Sequence, residues 1–425
     1  MFRLNNTIFK LAFYSVCALG VFVWYVSNLM VYTITQPIIK STRITKLNKT
    51  VHENIKFILI WTDPAIDPIV KLGNGHQTFV ERECPVKSCF VTSDRHFFKD
   101  VTEFEVIIFH GKEIVRSLPA MPEIRSTHQK YIFASMESSD YYPICDVRFK
   151  GFFNWTWTYK LNSDEYNGYI IVRNKKGIII GPKQDMEWLR IEEMDPVTKE
   201  VEIKLSRKTK IAAWFVSNCR APSGRDIFFK EVQRELNKHG LSVDVYGECG
   251  NKICPRDDES KCFKLIERDY YFYFAFENSL SEDYVTEKLL TAIRNYAIPV
   301  VYGAANYTSY TLFAMSKYIS KTLQYKFVAI QLFLCYRFMP NGTYLNGRDL
   351  GAKELARQMI EIYEDKKKYK RFFKWHNHYS YHDVYESPES DSICKLCAII
   401  NNNTVFDKAT VYEDFNSWWN PKGRC

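Results

Sequence analysis

A chain of 425 residues with 46% hydrophobic and 16% aromatic residues has more than one ordinary core to fill. Two domains of roughly 150–200 residues each are expected, and the composition excludes a long disordered tail. The net charge of +9 suits an anionic ligand or an ordinary solvated basic surface. No block of Lys and Arg interleaves with aromatics, so nucleic acid is excluded as the expected partner.

In chain order, residues 1–10 read as a short tail and residues 11–34, LAFYSVCALGVFVWYVSNLMVYTI, as a transmembrane signal-anchor. The run holds no charged side chain, is bracketed by Lys10 and Lys40, and is long enough to cross a bilayer. It is long for a cleaved signal peptide and has no small-x-small cleavage site. The flanking charges (Arg3 and Lys10 before; Lys40, Arg43, Lys46 and Lys49 after) do not favour a cytosolic N-terminus. Two other features do. The tail is too short for a domain. The large remainder carries sequons at Asn48, Asn154, Asn306, Asn341 and Asn402 and eleven cysteines besides Cys17, which fits an oxidising lumen. The expectation is a single-pass type II membrane protein with residues 35–52 as a stem.

Cys84 and Cys89 (ECPVKSC) and Cys394 and Cys397 (CKLC) form two close pairs at opposite ends of the lumenal part. Zinc would accept two such pairs, but disulfides are expected in a lumen. Links within the pairs and links across them both remain open. Bridges across would close a loop of about 300 residues, worth several kcal/mol in the chain-entropy account. Cys249, Cys254 and Cys262 form a third cluster.

The first half (53–205) opens with apolar runs at 55–62 (IKFILIWT), 104–111 (FEVIIFHG) and 130–137 (KYIFASME). Without alternation, they read as strands buried on both faces. The more polar residues 178–205 read as a link. The second half (206–390) gives a strand at 210–218, a helix at DIFFKEVQRELNKHG, and a strand at LSVDVYG. A further strand at YYFYFAF is followed by a helix from about Ser281 to Tyr296, then a strand at 298–303. In the DIFFKEVQRELNKHG helix Phe228, Val232 and Leu236 recur at i, i+4 and i+8, and Gly240 ends it. Residues 391–425 form a C-terminal segment with the CxxC. The alternation predicts an α/β fold with parallel, doubly wound sheets.

Ligands of such sheets sit beyond the carboxyl ends of strands, beside helix N-termini. There the chain reads FENSLSEDYVTEKL. Ser279 and Glu282 have capping-box spacing, and Val285, Leu289 and Ile293 are spaced to face the sheet. Tyr284, Glu287 and Lys288 are spaced to share another helical face, near the end of the helix that holds a diphosphate. A well-capped surface helix with a charged face is the competing reading. No Asp-x-Asp ends a strand, Asp257, Asp258 and Glu259 read as solvated charge, and the nine histidines show no metal-ligand spacing, so no metal site is expected.

FENSLSEDYVTEKL followed by IPVVYGAANYT resembles the signature of the α1,3-fucosyltransferases, with the invertebrate C-like branch nearest. CPVKSCFVTSDR, ASMESSDYYP, FFNWTWTYKLNSD, VSNCRAPSGR and VDVYGECG follow in that family's order, and the resemblance covers most of residues 55–400. It implies a GT-B fold, two Rossmann-like domains with the active site in the cleft between them. It implies α1,3 transfer of L-fucose from GDP-fucose, with inversion, to N-acetylglucosamine of glycoprotein or glycolipid glycans, in the Golgi membrane and without an essential metal. By the same resemblance Glu137 is the catalytic base, and Arg225 and Lys288 hold the diphosphate. Asn278, Tyr284 and Glu287 belong to the nucleotide pocket, and Glu277 matches an acidic residue of unassigned role. Taken alone, Glu137 reads rather as a turn carboxylate or a helix N-terminal residue.

Two departures stand out. Ser281 occupies a position where the family usually has Cys, which leaves Cys262 without its customary partner. Residues 309–336 separate ANYT from RFMPNGTYLN, which are nearly adjacent in the family. We read this apolar segment, which carries Cys335, as a retained intron or gene-model error. The alternative is a genuine loop at the cleft rim. Two other functional readings stay open: a GT-B transferase using a different nucleotide sugar, and a lumenal relative made catalytically inactive by the insertion.

Overall fold

A computed structural model of the chain describes residues 55–117, 120–255, 258–305, 307, 309–314, 330–335, 337–421 and 423–425. The expected anchor at 11–34, the stem, Asn48 and Asn306 lie outside them. Among the described residues no helix is long and apolar enough to cross a membrane.

The apolar runs of the first half become a six-stranded sheet. Its strands are β1 (Lys56–Ile60), β2 (Cys89–Thr92), β3 (Val106–His110), β4 (Lys130–Ser135), β5 (Trp155–Thr158) and β6 (Glu165–Tyr166). They lie in the order β2-β1-β3-β4-β5-β6, and every pairing is parallel. All residues of β3 and β4 are buried, as unbroken apolar runs covered on both faces require. The link region is more ordered than its polarity implied. It supplies β8 (Ile179–Gly181), which pairs with β7 (Ile171–Asn174), and a helix at Lys199–Ser206.

The second half builds a five-stranded parallel sheet. Its strands are β9 (Lys210–Phe215), β10 (Val243–Tyr246), β11 (Tyr270–Phe276), β12 (Ile298–Tyr302) and the short β15 (Leu345–Asn346), in the order β10-β9-β11-β12-β15. The predicted helix forms at Arg225–Asn237. Val232 and Leu236 are fully buried, and Phe228 stacks on Tyr302 at 4.5 Å. Gly240 takes a φ of 68° just beyond it, a conformation glycine adopts without penalty. Between β12 and β15, β13 (Ser309–Ala314) and β14 (Ile330–Cys335) pair antiparallel, with Ser309 opposite Cys335. The described residues of the 309–336 segment thus form a two-stranded sheet of their own. On either side of it Tyr307 and Phe338 are buried.

The chain then returns to the first half. β16 (Tyr379–His382) pairs with β7. The helix Ser392–Ile400 packs Ile393, Leu396 and Ile400 into the core beneath β1, β3 and β5. The helix Phe415–Trp419 places Phe415 and Trp419 against Phe133 of β4. This return decides the cysteine pairing: the bridges run across, Cys84–Cys394 and Cys89–Cys397. Cys145–Cys425, Cys219–Cys249 and Cys254–Cys262 are also bonded, so Cys262 has a partner despite Ser281. Of the sequons, Asn341 and Asn402 are exposed. Asn154 is half-buried, donating from its amide to the Thr410 carbonyl at 2.7 Å and accepting from Tyr131 N at 2.8 Å.

The two long-range bridges close nearly the same loop, with separations of 310 and 308 residues. Once one is formed, the other closes only a small ring. Replacing the Cys89–Cys397 pair by Ser is expected to cost about 3 kcal/mol, and removing Cys84–Cys394 as well should cost about 5 kcal/mol more, since Cys145–Cys425 still shortens that loop to roughly 90 residues. Urea melts of the variants that keep one and neither of these two bridges check this; equal, additive losses would contradict it.

Candidate active site

The two sheets meet at the carboxyl ends of β4 and β11. After β4 the chain runs Met136-Glu137-Ser138-Ser139-Asp140; after β11 it runs Glu277-Asn278-Ser279-Leu280-Ser281. These two loops are stitched together by short side chains. Ser139 Oγ donates to Ser281 Oγ at 3.2 Å, Asp140 N donates to Ser281 Oγ at 2.9 Å, and Leu280 N donates to an Asp140 carboxylate oxygen at 3.4 Å. The hydroxyls of Ser138 and Ser279 are also bonded. All four serines are buried, so each hydroxyl needs such a partner. Ser281 thus accepts from the loop that carries Glu137, a role a thiol would fill poorly.

The predicted helix from Ser281 is corrected here. It starts at Glu287, with Thr286 as its N-cap, and ends at Arg294. Ser279 does not cap it, because its hydroxyl is taken by Ser138. Asp283 has a φ of 59°, which breaks any helix through it; its carboxylate pairs with Arg337 at 2.7 Å. Tyr284 therefore precedes the helix and shares no helical face with Glu287 and Lys288. Val285, Leu289 and Ile293 are buried in the core as expected.

Glu137 is half-buried, and Tyr284 Oη donates to its Oε2 at 3.3 Å. The Tyr284 ring is buried edge-on against Tyr159 and Tyr169, at 5.0 and 6.3 Å. Tyr169 Oη donates to the Met136 carbonyl at 3.0 Å. Burial pushes the Glu137 carboxyl above its ordinary value, opposed by the charge of Lys288 and the Tyr284 hydrogen bond. A cleft of about 180 Å³ opens beside it, lined also by Asp67, Lys71, Tyr169, Asp383 and Tyr385.

Glu277, 1% exposed, supplies what the helix lacked. Its Oε1 accepts from Thr286 N at 2.9 Å, and Thr286 Oγ1 donates to its Oε2 at 2.9 Å. A buried carboxylate thus caps the helix N-terminus. Lys288 Nζ lies 3.4 Å from Glu277 Oε2 and 3.0 Å from Glu287 Oε1, and donates to Thr286 Oγ1 at 2.7 Å. Burial works to lower the Lys288 pKa, but Glu277 and Glu287 outweigh it and push the group up to about 12. Lys288 is a fixed positive charge at any working pH. The Glu287 side chain is 59% exposed.

Arg225, 4% exposed, opens the helix Arg225–Asn237 and reaches under the end of β11. Its Nη1 donates to the Phe276 carbonyl at 2.7 Å and its Nη2 to the Asn218 carbonyl at 3.0 Å. The structure therefore unites Glu137 with Tyr284, and Glu277 with Lys288 and Glu287. Arg225 lies where the charges of Glu277 and Glu287 reach it. Two buried polar atoms here, Arg225 Nε and Asn278 Oδ1, have no hydrogen-bond partner among the described residues. The unpaired donor Arg225 Nε, at the strand ends where anions bind, fits a phosphorylated ligand, whereas the Asn278 amide oxygen can only accept and so suits a hydroxyl or N–H of that ligand. Among the described residues no cluster of His, Cys, Asp and Glu is placed to hold a metal ion. Sequence reasoning left the role of Glu277 unassigned and passed over Tyr159, Tyr169 and the serine stitch. The quoted motif segments contained Tyr159 and the serines, but only the folded contacts gave them roles.

Residues 53–170 match the model for the N-terminal part of the fucosyltransferases. Residues 205–329 and 321–418 match the model for the C-terminal part of glycosyltransferase family 10 (fucosyltransferase). The two pieces of the latter match divide inside the 309–336 segment. The chain is 31% identical over 378 residues to alpha-(1,3)-fucosyltransferase C of Drosophila melanogaster, covering 86% of this chain and 78% of that protein. It is 29% identical over 328 residues to a human 4-galactosyl-N-acetylglucosaminide 3-alpha-L-fucosyltransferase, covering 76% of this chain and 73% of that one. Among solved structures, an alpha1,3-fucosyltransferase with GDP-fucose aligns at a TM-score of 0.42 and 14% identity, covering 85% of this chain and 92% of that chain. On the family matches and the fly relative, this chain belongs to glycosyltransferase family 10, the fucosyltransferases.

Proposed function

We propose that the protein is an inverting α1,3-fucosyltransferase of GT-B architecture, moving L-fucose from GDP-fucose to N-acetylglucosamine of glycoprotein or glycolipid glycans. Residues 53–205 form the acceptor-side domain and 206–390 the donor-binding domain. A span at 11–34 anchors the protein in the Golgi membrane with its catalytic part in the lumen. The observation that carries the reading is the pairing of a half-buried carboxylate, Glu137, with Tyr284 of the loop that leads into Lys288.

In this mechanism Glu137 takes the proton of the acceptor hydroxyl as its oxygen attacks the anomeric carbon of fucose. The bond from that carbon to the diphosphate breaks, and the electron pair leaves with GDP. The configuration inverts from β to α in one displacement. Lys288 and Arg225 stabilise the charge that develops on the diphosphate, and Asn278, Tyr284 and Glu287 shape the nucleotide pocket. No metal is required, because protein cations supply that charge.

The base acts only when deprotonated, and burial raises its pKa. Activity is therefore expected to fall on acidification with its acid limb above the ordinary carboxylate range. A pH profile of kcat measures this; a limb at or below that range would refute the assignment of the limb to Glu137.

The full chain is to be made in a secretory host and supplied with GDP-fucose and a panel of N-glycan and lactosamine acceptors. Mass spectrometry should then find a deoxyhexose added to one acceptor class. Preferential binding of GDP-mannose over GDP-fucose would favour a different donor. Absence of product from both the full chain and a chain lacking 309–336 would favour an inactive relative. Product from the shortened chain alone would mark the segment as an error of the gene model.

A further inference from the structure

Between Ser135, which ends β4, and Val147, the loop that carries Glu137 contains no helix or strand. Such a backbone must find partners for its carbonyls outside regular structure. Around Glu137 they come from Tyr169, Ser135 and the loop's own turn; over residues 140–146 they come from the last ten residues of the chain. Arg424 Nη2 donates to the Asp140 carbonyl at 3.1 Å, and Trp419 Nε1 to that of Tyr142 at 2.9 Å. Asn420 Nδ2 donates to the Ile144 carbonyl at 2.6 Å. Asn416 Nδ2 donates to the carbonyls of Ile144 at 2.8 Å and Asp146 at 3.1 Å. The Asn420 amide oxygen accepts from Ile144 N at 2.8 Å, and Cys145 is bonded to Cys425.

The held carbonyls alternate along the chain, at 140, 142, 144 and 146. They belong to a turn at 139–141 and the irregular stretch that follows it, and one element holds them all. Packing alone does not explain these contacts. Trp419 already anchors the tail in the core, whereas Asn420 is half-buried and Arg424 is exposed, and both still spend their polar atoms on this loop. The opposite edge of the loop is held by the serine stitch from the second sheet. Asp140 is touched from both sides: its carboxylate accepts from Leu280 N, and Arg424 lies 3.7 Å from that carboxylate while donating to its carbonyl.

We infer that Asn416, Trp419, Asn420, Arg424 and Cys425 form a clamp that positions Glu137, fixing its loop against the first sheet while the serine stitch fixes it to the second. The inference rests on Glu137 being the base. A base displaced by about 1 Å loses up to a hundredfold in rate, and the base here sits in a loop outside regular structure.

The test is Asn420→Ala with Arg424→Ala in the full chain, which leaves Trp419 and the Cys145–Cys425 bridge intact. The expected result is a fall in kcat of about tenfold to a hundredfold, with GDP affinity and donor KM unchanged. The acid limb of the pH profile should also move down toward the ordinary carboxylate range as the loop loosens and Glu137 gains water. Arg424→Lys, which keeps a donor, should recover part of the rate of Arg424→Ala. Unchanged kcat would overturn the inference. So would a parallel loss of GDP affinity with a fixed acid limb, which marks a merely structural role. Glu137→Gln is measured alongside. If it keeps turnover, the base assignment falls and the clamp with it. If it loses turnover while the double variant does not, only the clamp falls.

Discussion

Glu137→Gln is expected to lower kcat by about a hundredfold to ten-thousandfold, the usual worth of a general base, while GDP binds as before. The amide keeps the shape of the carboxylate and still accepts from Tyr284 Oη, which now donates to Glu137 Oε2 at 3.3 Å. What it loses is the ability to take a proton. The groups that face the nucleotide in the proposed mechanism, Arg225 and Lys288, make their contacts without Glu137. The decisive comparison is turnover against a GDP titration on the same preparation. Near-full turnover would refute the assignment, and loss of both together would show that the substitution had disturbed the site as a whole.

Lys288→Met should do two separable things. It removes the fixed cation expected at the leaving diphosphate, so GDP affinity falls. It also takes from Glu277, 1% exposed, its ion-pair partner, and breaking a buried pair from one side costs about 3–5 kcal/mol. Pairing the change with Glu277→Gln removes the orphaned charge, so the double variant should regain much of the stability and none of the GDP affinity. Denaturant melts and GDP titrations of the two single variants and the double one check this. Additive losses of stability would mean that Glu277 and Lys288 are not coupled. The carboxylate would then serve only as the cap of the Glu287–Arg294 helix through Thr286.

Much of this was legible in the chain itself. The strands β1, β3, β4, β9, β11 and β12 announce themselves as apolar runs without alternation, because a parallel sheet covered on both faces has no solvent side to mark. The placement of Glu137 and Glu277 follows from the same runs, since each carboxylate stands just past the point where an apolar stretch ends. The motif segments then assign the family, because the matching residues are many, specific and in order.

Other features depended on partners far away in the chain. Ser279 and Glu282 have the spacing of a capping box, yet the Ser279 hydroxyl goes to Ser138, Asp283 turns left-handed beside Arg337, and the cap is the distant Glu277. Spacing reports only what neighbours along the chain can do, and a buried hydroxyl takes whichever partner the fold brings closest. The pairing of Cys84 with Cys394 and Cys89 with Cys397 needed the return of the last segment to the first sheet. The grip of Asn416, Trp419, Asn420 and Arg424 on residues 140–146 left no trace in the composition of either segment. Its acceptors are main-chain carbonyls, which every residue carries alike, so only the folded chain decides which of them are held.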